Sequence, residues 1–131
     1  MPSACCAAVA TVLLVDDDAM YRRALAAFLD ASYDLDVVGD TGDGIEAMTL
    51  AERLRPDAVV IDLAMPGTNG FDVAEKILAA LPGTAVILVT GSPGGHERER
   101  ARLLGAQLLE KGDPLPVENA LRTLTRKTPP V

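Results

Sequence analysis

Aromatic side chains are scarce in this chain. Two Phe, two Tyr and no Trp among 131 residues make up 3% of it, so any core has to be aliphatic. Positive charge is also short. Twelve Lys and Arg stand against 19 Asp and Glu, and the net charge of −7 argues against general nucleic-acid binding, which needs a positive field. Cysteine is limited to Cys5 and Cys6. Adjacent cysteines rarely bridge, and with no third cysteine a disulfide framework is excluded, so a cytoplasmic setting is expected. No apolar run approaches the roughly 18 residues that a membrane span needs. The opening MPSACCAAVA has no basic start and runs straight into an apolar stretch, so it reads as a tail and not as a signal peptide.

What the chain does have is aliphatic material. Apolar residues make up 49%, enough for one full core in a single domain of this length. Val9–Val15 is a continuous apolar run, the pattern of a strand buried on both faces, and further strands are expected at Leu35–Thr41, Ala58–Asp62, Ala85–Thr90 and Gln107–Glu110. Apolar residues at helical spacing lie between them. They are Tyr21, Ala24, Leu25, Phe28 and Leu29, then Ala47, Leu50, Ala51 and Leu54, then Ala74, Ile77, Leu78 and Leu81, and lastly Val117, Ala120, Leu121 and Leu124. The segment HERERARLLGA offers only Ala101 and Leu104 to a core. It is expected to be a weakly held helix, with Glu97–Arg100 and Glu99–Arg102 pairs along its exposed face. Five strand–helix units with short connections predict an α/β fold, a doubly wound five-stranded parallel sheet with helices on both faces. Residues 1–8 read as an N-terminal tail, 9–126 as the domain, and 127–131 as a C-terminal tail or the start of a linker.

The chemistry-bearing residues sit at the ends of those strands. Asp16 and Asp17 follow VLLV, Asp62 follows AVVI, Thr90 ends AVILVT and Lys111 follows LLE. In a parallel sheet such residues gather at the carboxyl edge, where open α/β folds bind ligands. Three crowded carboxylates repel one another unless a divalent cation or a proton intervenes. With a hydroxyl and an ammonium beside them, they point to Mg²⁺ and a phosphoryl group. Asp18 reads as the N-cap of the first helix. For Arg22 and Arg23 a docking role and plain exposure both stand, and His96 reads as a surface residue.

The ordered set VDDDAMYRRAL, DLAMPGTNG, VTG and a Lys after GAQLLE resembles the receiver domain of two-component response regulators. VVGDTGDGIEAM and the Lys111–Gly112 pair look most like receivers of the NarL/FixJ type, which usually carry a DNA-binding region after the receiver; none follows here. The resemblance implies the flavodoxin-like strand order 2-1-3-4-5, of which receiver domains are themselves a standard example. It implies Asp62 as phosphoryl acceptor, and Mg²⁺ held by Asp17 directly, Asp16 through water, Asp62 and the backbone carbonyl of Ala64. It gives Thr90 and Lys111 to the phosphoryl group. The implied partner is a histidine kinase or phosphotransfer protein, with a homodimer through helix 4, strand 5 and helix 5 as one output. The chain would catalyse only its own phosphorylation and dephosphorylation.

Two departures stand out. The fifth strand, QLLEK, has Leu108 or Leu109 where receivers commonly place a Tyr or Phe, and Gly112 follows Lys111 where many have proline. The competing readings are weaker. A hydrolase with an aspartyl-phosphate intermediate usually needs a second Asp two residues after the nucleophile, and Ala64 stands there. A flavodoxin-type carrier needs a Gly- and hydroxyl-rich phosphate loop, and the acidic run at Asp16–Asp18 would repel the phosphate. A phosphorylation-independent interaction module of the same fold is the alternative that the missing aromatic favours.

Overall fold

The computed structural model describes residues 9–125. The tails expected at 1–8, with Cys5 and Cys6, and at 127–131 lie outside them. Five strands alternate with five helices: β1 (Ala10–Val15), α1 (Ala19–Asp30), β2 (Leu35–Thr41), α2 (Gly44–Leu54), β3 (Ala58–Asp62), α3 (Gly70–Ala80), β4 (Ala85–Thr90), α4 (Gly95–Leu104), β5 (Gln107–Glu110) and α5 (Leu115–Leu124). The strands form one sheet in the order β2-β1-β3-β4-β5, and every pairing is parallel. The predicted strand order is therefore observed.

Because side chains alternate across a strand, neighbouring residues of the central strands enter different cores. Leu13, Val15, Val59, Ile61, Val86 and Leu88 pack with α2, α3 and Ala101 of α4. Val12, Leu14, Val60, Ile87 and Val89 pack with α1 and α5. Burial on both faces explains why these strands read as unbroken aliphatic runs. The amino edge of the sheet is tied by Thr11, whose amide donates to Asp57 Oδ2 at 2.8 Å while its hydroxyl accepts from the Asp57 amide at 3.0 Å.

Several helical expectations are corrected. On α1 the buried residues are Leu25 and Leu29, with Tyr21 and Ala26 packed beside them; Ala24 and Phe28 are exposed. A 12-residue helix on a twisted sheet buries a narrow stripe, and spacing alone does not fix its phase. Leu124, at the end of α5, is also exposed, and Val9 lies outside β1. On α4 only Glu99–Arg102 forms as expected, at 2.5 Å. Glu97 instead accepts from the Gly94 amide at 2.9 Å and caps the helix. Arg100 reaches α3, lying 4.5 Å from the Phe71 ring centroid and 3.6 Å from Asp72. Capping the first turn and stacking on a buried ring each satisfy a group that an exposed i,i+3 pair leaves in water.

Candidate phosphoryl-acceptor site

Parallel register builds the site. Val15 pairs with Ile61, so Asp16, one residue on, stands beside Asp62. Asp62 pairs with Val89 and Thr90 with Glu110, which brings Thr90 and Lys111 to the same edge. The Lys111 amide donates to the Thr90 carbonyl at 2.8 Å, extending the β4–β5 ladder by one rung. Asp16, Asp62 and Thr90 are buried, whereas Asp17 is exposed.

Asp16, Asp17 and Asp62 each offer an oxygen within 4.8 Å of the others. Lys111 Nζ lies 2.9 Å from Asp16 Oδ2 and 3.2 Å from Asp62 Oδ2, and its hydrogen bond to Asp16 goes to Oδ1 at 3.2 Å. Burial raises the Asp16 pKa, and the Asp62 charge adds to this. Hydrogen bonds from Lys111 and the Asp18 amide offset only part of it. Burial alone would lower the Lys111 pKa, but the two carboxylates outweigh it and the net shift is upward, so the ammonium stays charged at neutral pH.

The acidic pocket fits a hard cation. Its donors are all oxygens, the set that suits Mg²⁺. Asp16 Oδ2 is buried and faces the Lys111 ammonium at 2.9 Å, so the pocket already gathers positive charge at this oxygen. The Ala64 amide donates to Asp62 Oδ1 at 3.1 Å, fixing the carboxylate at the head of its loop.

The surrounding loops are pinned by specific contacts. Asp18 caps α1, accepting from the Met20 and Tyr21 amides at 3.1 Å, and its own amide donates to Asp16 Oδ1 at 2.9 Å. Arg22 is structural: its Nε donates to Asp40 at 2.7 Å and its NH1 to the Asp16 carbonyl at 2.5 Å, tying the β1–α1 loop to β2. Arg23 and His96 are exposed. Tyr21, assigned from its spacing to the α1 core stripe, also reaches the site, with Lys111 Nζ 4.6 Å from its ring centroid.

Gly70 begins α3 directly against the start of the loop that follows Asp62. A Cβ there would lie 2.7 Å from the Asp62 carbonyl oxygen and 2.8 Å from Leu63 Cα. Both neighbours are backbone, which cannot swing aside as a side chain can. Gly70→Ala is therefore expected to lower stability by about 2 kcal/mol, the size of a typical overpacking penalty. A thermal melt matching the unsubstituted chain would show that the loop yields instead.

The response regulator receiver domain family matches residues 12–111, most of the chain, and the chain belongs to that family. It is 42% identical over 96 residues to protein-glutamate methylesterase/protein-glutamine glutaminase 1 of Caulobacter vibrioides, covering 72% of this chain and 28% of that protein. To the nitrate/nitrite response regulator protein NarL of Escherichia coli it is 36% identical over 91 residues, 69% of this chain and 41% of that one. The chain thus spans less than half the length of either relative. Among solved structures, the response regulator domain of Thermotoga maritima CheB superposes with a TM-score of 0.81 at 28% identity, over 92% of this chain and 99% of that one. The receiver domain of NarL from Mycobacterium tuberculosis, at 24% identity and 0.83 over 92% and 99%, shares the fold.

Both leucines of β5 are half-buried, on opposite sides of the sheet. Leu108 packs with the α2–α4 core and Leu109 with the α1–α5 core. The position that an aromatic would fill next to α4 is Leu108. Among the described residues no helix is long and apolar enough to cross a membrane.

Proposed function

We propose that this receiver domain accepts a phosphoryl group on Asp62, in a Mg²⁺-dependent transfer from a phosphohistidine on a histidine kinase or phosphotransfer protein. The observation that carries this reading is the joining of three carboxylates and Lys111 in one pocket, with Asp62 at its buried centre. Asp16, Asp17, Asp62 and the Ala64 carbonyl would hold Mg²⁺, whose charge offsets the repulsion between Asp62 and the incoming phosphoryl oxygens. A carboxylate oxygen of Asp62 attacks phosphorus, and the phosphorus–nitrogen bond to the donor imidazole breaks. Lys111, already against Asp62, neutralises phosphoryl charge, and the Thr90 hydroxyl supplies a hydrogen bond. Little covalent work falls to other groups, because phosphoryl transfer is mostly positioning and charge neutralisation. The catalysis is confined to this chain's own phosphorylation and dephosphorylation. We take residues 9–126 as the signalling unit, with output through another protein or a second copy at α4, β5 and α5. Incubation with acetyl phosphate and Mg²⁺ should add the mass of one phosphoryl group to the intact chain; no addition at saturating donor would refute the reading.

The switch would work without an aromatic rotamer change. As Thr90 moves toward the phosphoryl group, Leu108 can refill the space it leaves, and α4 responds. The helix offers one buried residue, Ala101, and its link to α3 is the Arg100 contact with Phe71 and Asp72. Hydrogen exchange with a phosphoryl mimic should change most at residues 91–111. Changes confined to α1 and α2 would contradict this route.

The phosphorylated form should be long-lived for its class. Hydrolysis needs a water held in line with the Asp62–phosphorus bond, and in receivers the side chains two positions beyond the acceptor Asp and the Thr often influence that water. Here they are Ala64 and Ser92, both exposed. Alanine offers no hydrogen bond and serine is too short to reach, so the orientation advantage is lost. Ala64→Asn with Ser92→Glu is expected to speed loss of phosphoprotein by about tenfold, a modest share of what positioning provides. An unchanged decay after donor removal would overturn this assignment of the two positions.

A further inference from the structure

We propose that Tyr21 is a positioning residue for Lys111, its ring serving as the platform that holds the ammonium over the acceptor carboxylate. The proposal deepens the phosphoryl-acceptor reading and rests on it. Two carboxylates hold the ammonium, Asp16 at 2.9 Å and Asp62 at 3.2 Å, but the backbone around the lysine adds little. The lysine follows a four-residue edge strand. Beyond it Gly112 adopts φ +140°, and nothing lies within 4 Å of where a Cβ would stand there. The backbone of Lys111 is fixed by its bond to Thr90, but a flexible chain of methylenes separates that backbone from the ammonium.

Tyr21 supplies a further constraint beside the two carboxylates. Its ring centroid lies 4.6 Å from Lys111 Nζ, within the range of a cation–π contact. The ring is packed against the α1–α5 core, and the backbone that carries it is fixed as well. The Tyr21 amide is capped by Asp18, and the Asp18 amide donates to Asp16 Oδ1. That same oxygen accepts from Lys111 Nζ. The contacts Asp16–Asp18–Tyr21–Lys111–Asp16 thus close on themselves, so the lysine is held from the acidic side and from the ring side together. With an aliphatic β5, the aromatic surface at the pocket comes from α1.

A plain core filler explains Tyr21 less well. Its hydroxyl is sealed from solvent, and the Gly112 amide is the hydrogen-bonding group that acts on it. A leucine could fill the same place in the core but would offer the ammonium no ring face. What distinguishes the site is a cation over the face of the ring. When a phosphoryl group arrives on Asp62, the carboxylate charge that attracts Lys111 moves outward. The ring then keeps the ammonium from drifting into solvent, and leaves it facing the phosphoryl oxygens.

The test combines a spectroscopic and a kinetic readout. In the NMR spectrum the Lys111 ε-methylene protons should be shifted upfield by the ring in the unsubstituted chain and in Tyr21→Phe, and should return to ordinary lysine positions in Tyr21→Leu. Phosphorylation by acetyl phosphate should slow about tenfold in Tyr21→Leu and stay within about twofold in Tyr21→Phe. In a Lys111→Ala background, Tyr21→Leu should slow it no further, whereas a purely structural effect would add in full. Unshifted ε-methylenes in the unsubstituted chain would overturn the proposal, as would equal phosphorylation rates in the unsubstituted chain and Tyr21→Leu. Shifted methylenes in a chain that takes up no phosphoryl group would support the placement of Lys111 and refute the acceptor reading instead.

Discussion

Saturating Mg²⁺ is expected to raise the melting temperature of this domain by about 10 °C. Three carboxylates offer oxygens within 4.8 Å, two of them from buried side chains, and one ammonium faces them. The repulsion left over is a stability deficit that a divalent cation removes. A cation that binds the folded pocket and not the separated chain stabilises by mass action. The gain reaches about 2.7 kcal/mol at roughly a hundred times the dissociation constant. For a domain of this size each kcal/mol moves the midpoint by about 4 °C. Asp17→Asn should abolish most of the response without unfolding the chain, because Asp17 is exposed and supports no core contact. Asp16 is a poorer probe: its Oδ1 also receives the Asp18 amide, so its replacement loosens the start of α1 as well. A Mg²⁺ titration followed by thermal denaturation is the measurement, and a flat response would dismiss the metal site.

The second large effect concerns Asp62. Asp62→Asn should remain folded and take up no phosphoryl group, because an amide is a poor nucleophile at phosphorus. The amide oxygen can still accept from the Ala64 amide, the contact that shapes the loop. Lys111 retains Asp16 at 2.9 Å, so its ammonium does not become an unpaired buried charge. Stability without Mg²⁺ should therefore change by less than about 1 kcal/mol, within the spread of mild substitutions. Loss of uptake with an unaltered circular dichroism spectrum separates lost chemistry from lost fold.

The sheet is readable from the sequence because parallel strands buried on both faces leave an unmistakable trace, as in AVVID of β3, where every residue is buried. Once the strands are ordered, the residues just past their ends must share an edge. That is why strand ends alone bring Asp16, Asp62, Thr90 and Lys111 together. Contacts between helices leave no such trace. The expected Glu97–Arg100 pair gives way to a capping bond and to Arg100 over Phe71, because the α3 ring lies close only after both helices have packed on the sheet. Tyr21 is legible as a core residue on the first turn of α1. Its closeness to Lys111, far along the chain, depends on how α1 and β5 flank the same edge. The choice between Leu108 and Leu109 turns on register, which a four-residue edge strand specifies weakly until its pairing with Leu88 and Val89 is seen.

The most direct test is to locate the phosphoryl group. The domain is phosphorylated with acetyl phosphate and Mg²⁺, digested under conditions that preserve acyl phosphates, and mapped by peptide mass. One modified residue is predicted, Asp62, with the signal lost in Asp62→Asn. A phosphoryl group on Asp16, Asp17 or any hydroxyl residue, or normal uptake by Asp62→Asn, would contradict the assignment of Asp62 as acceptor.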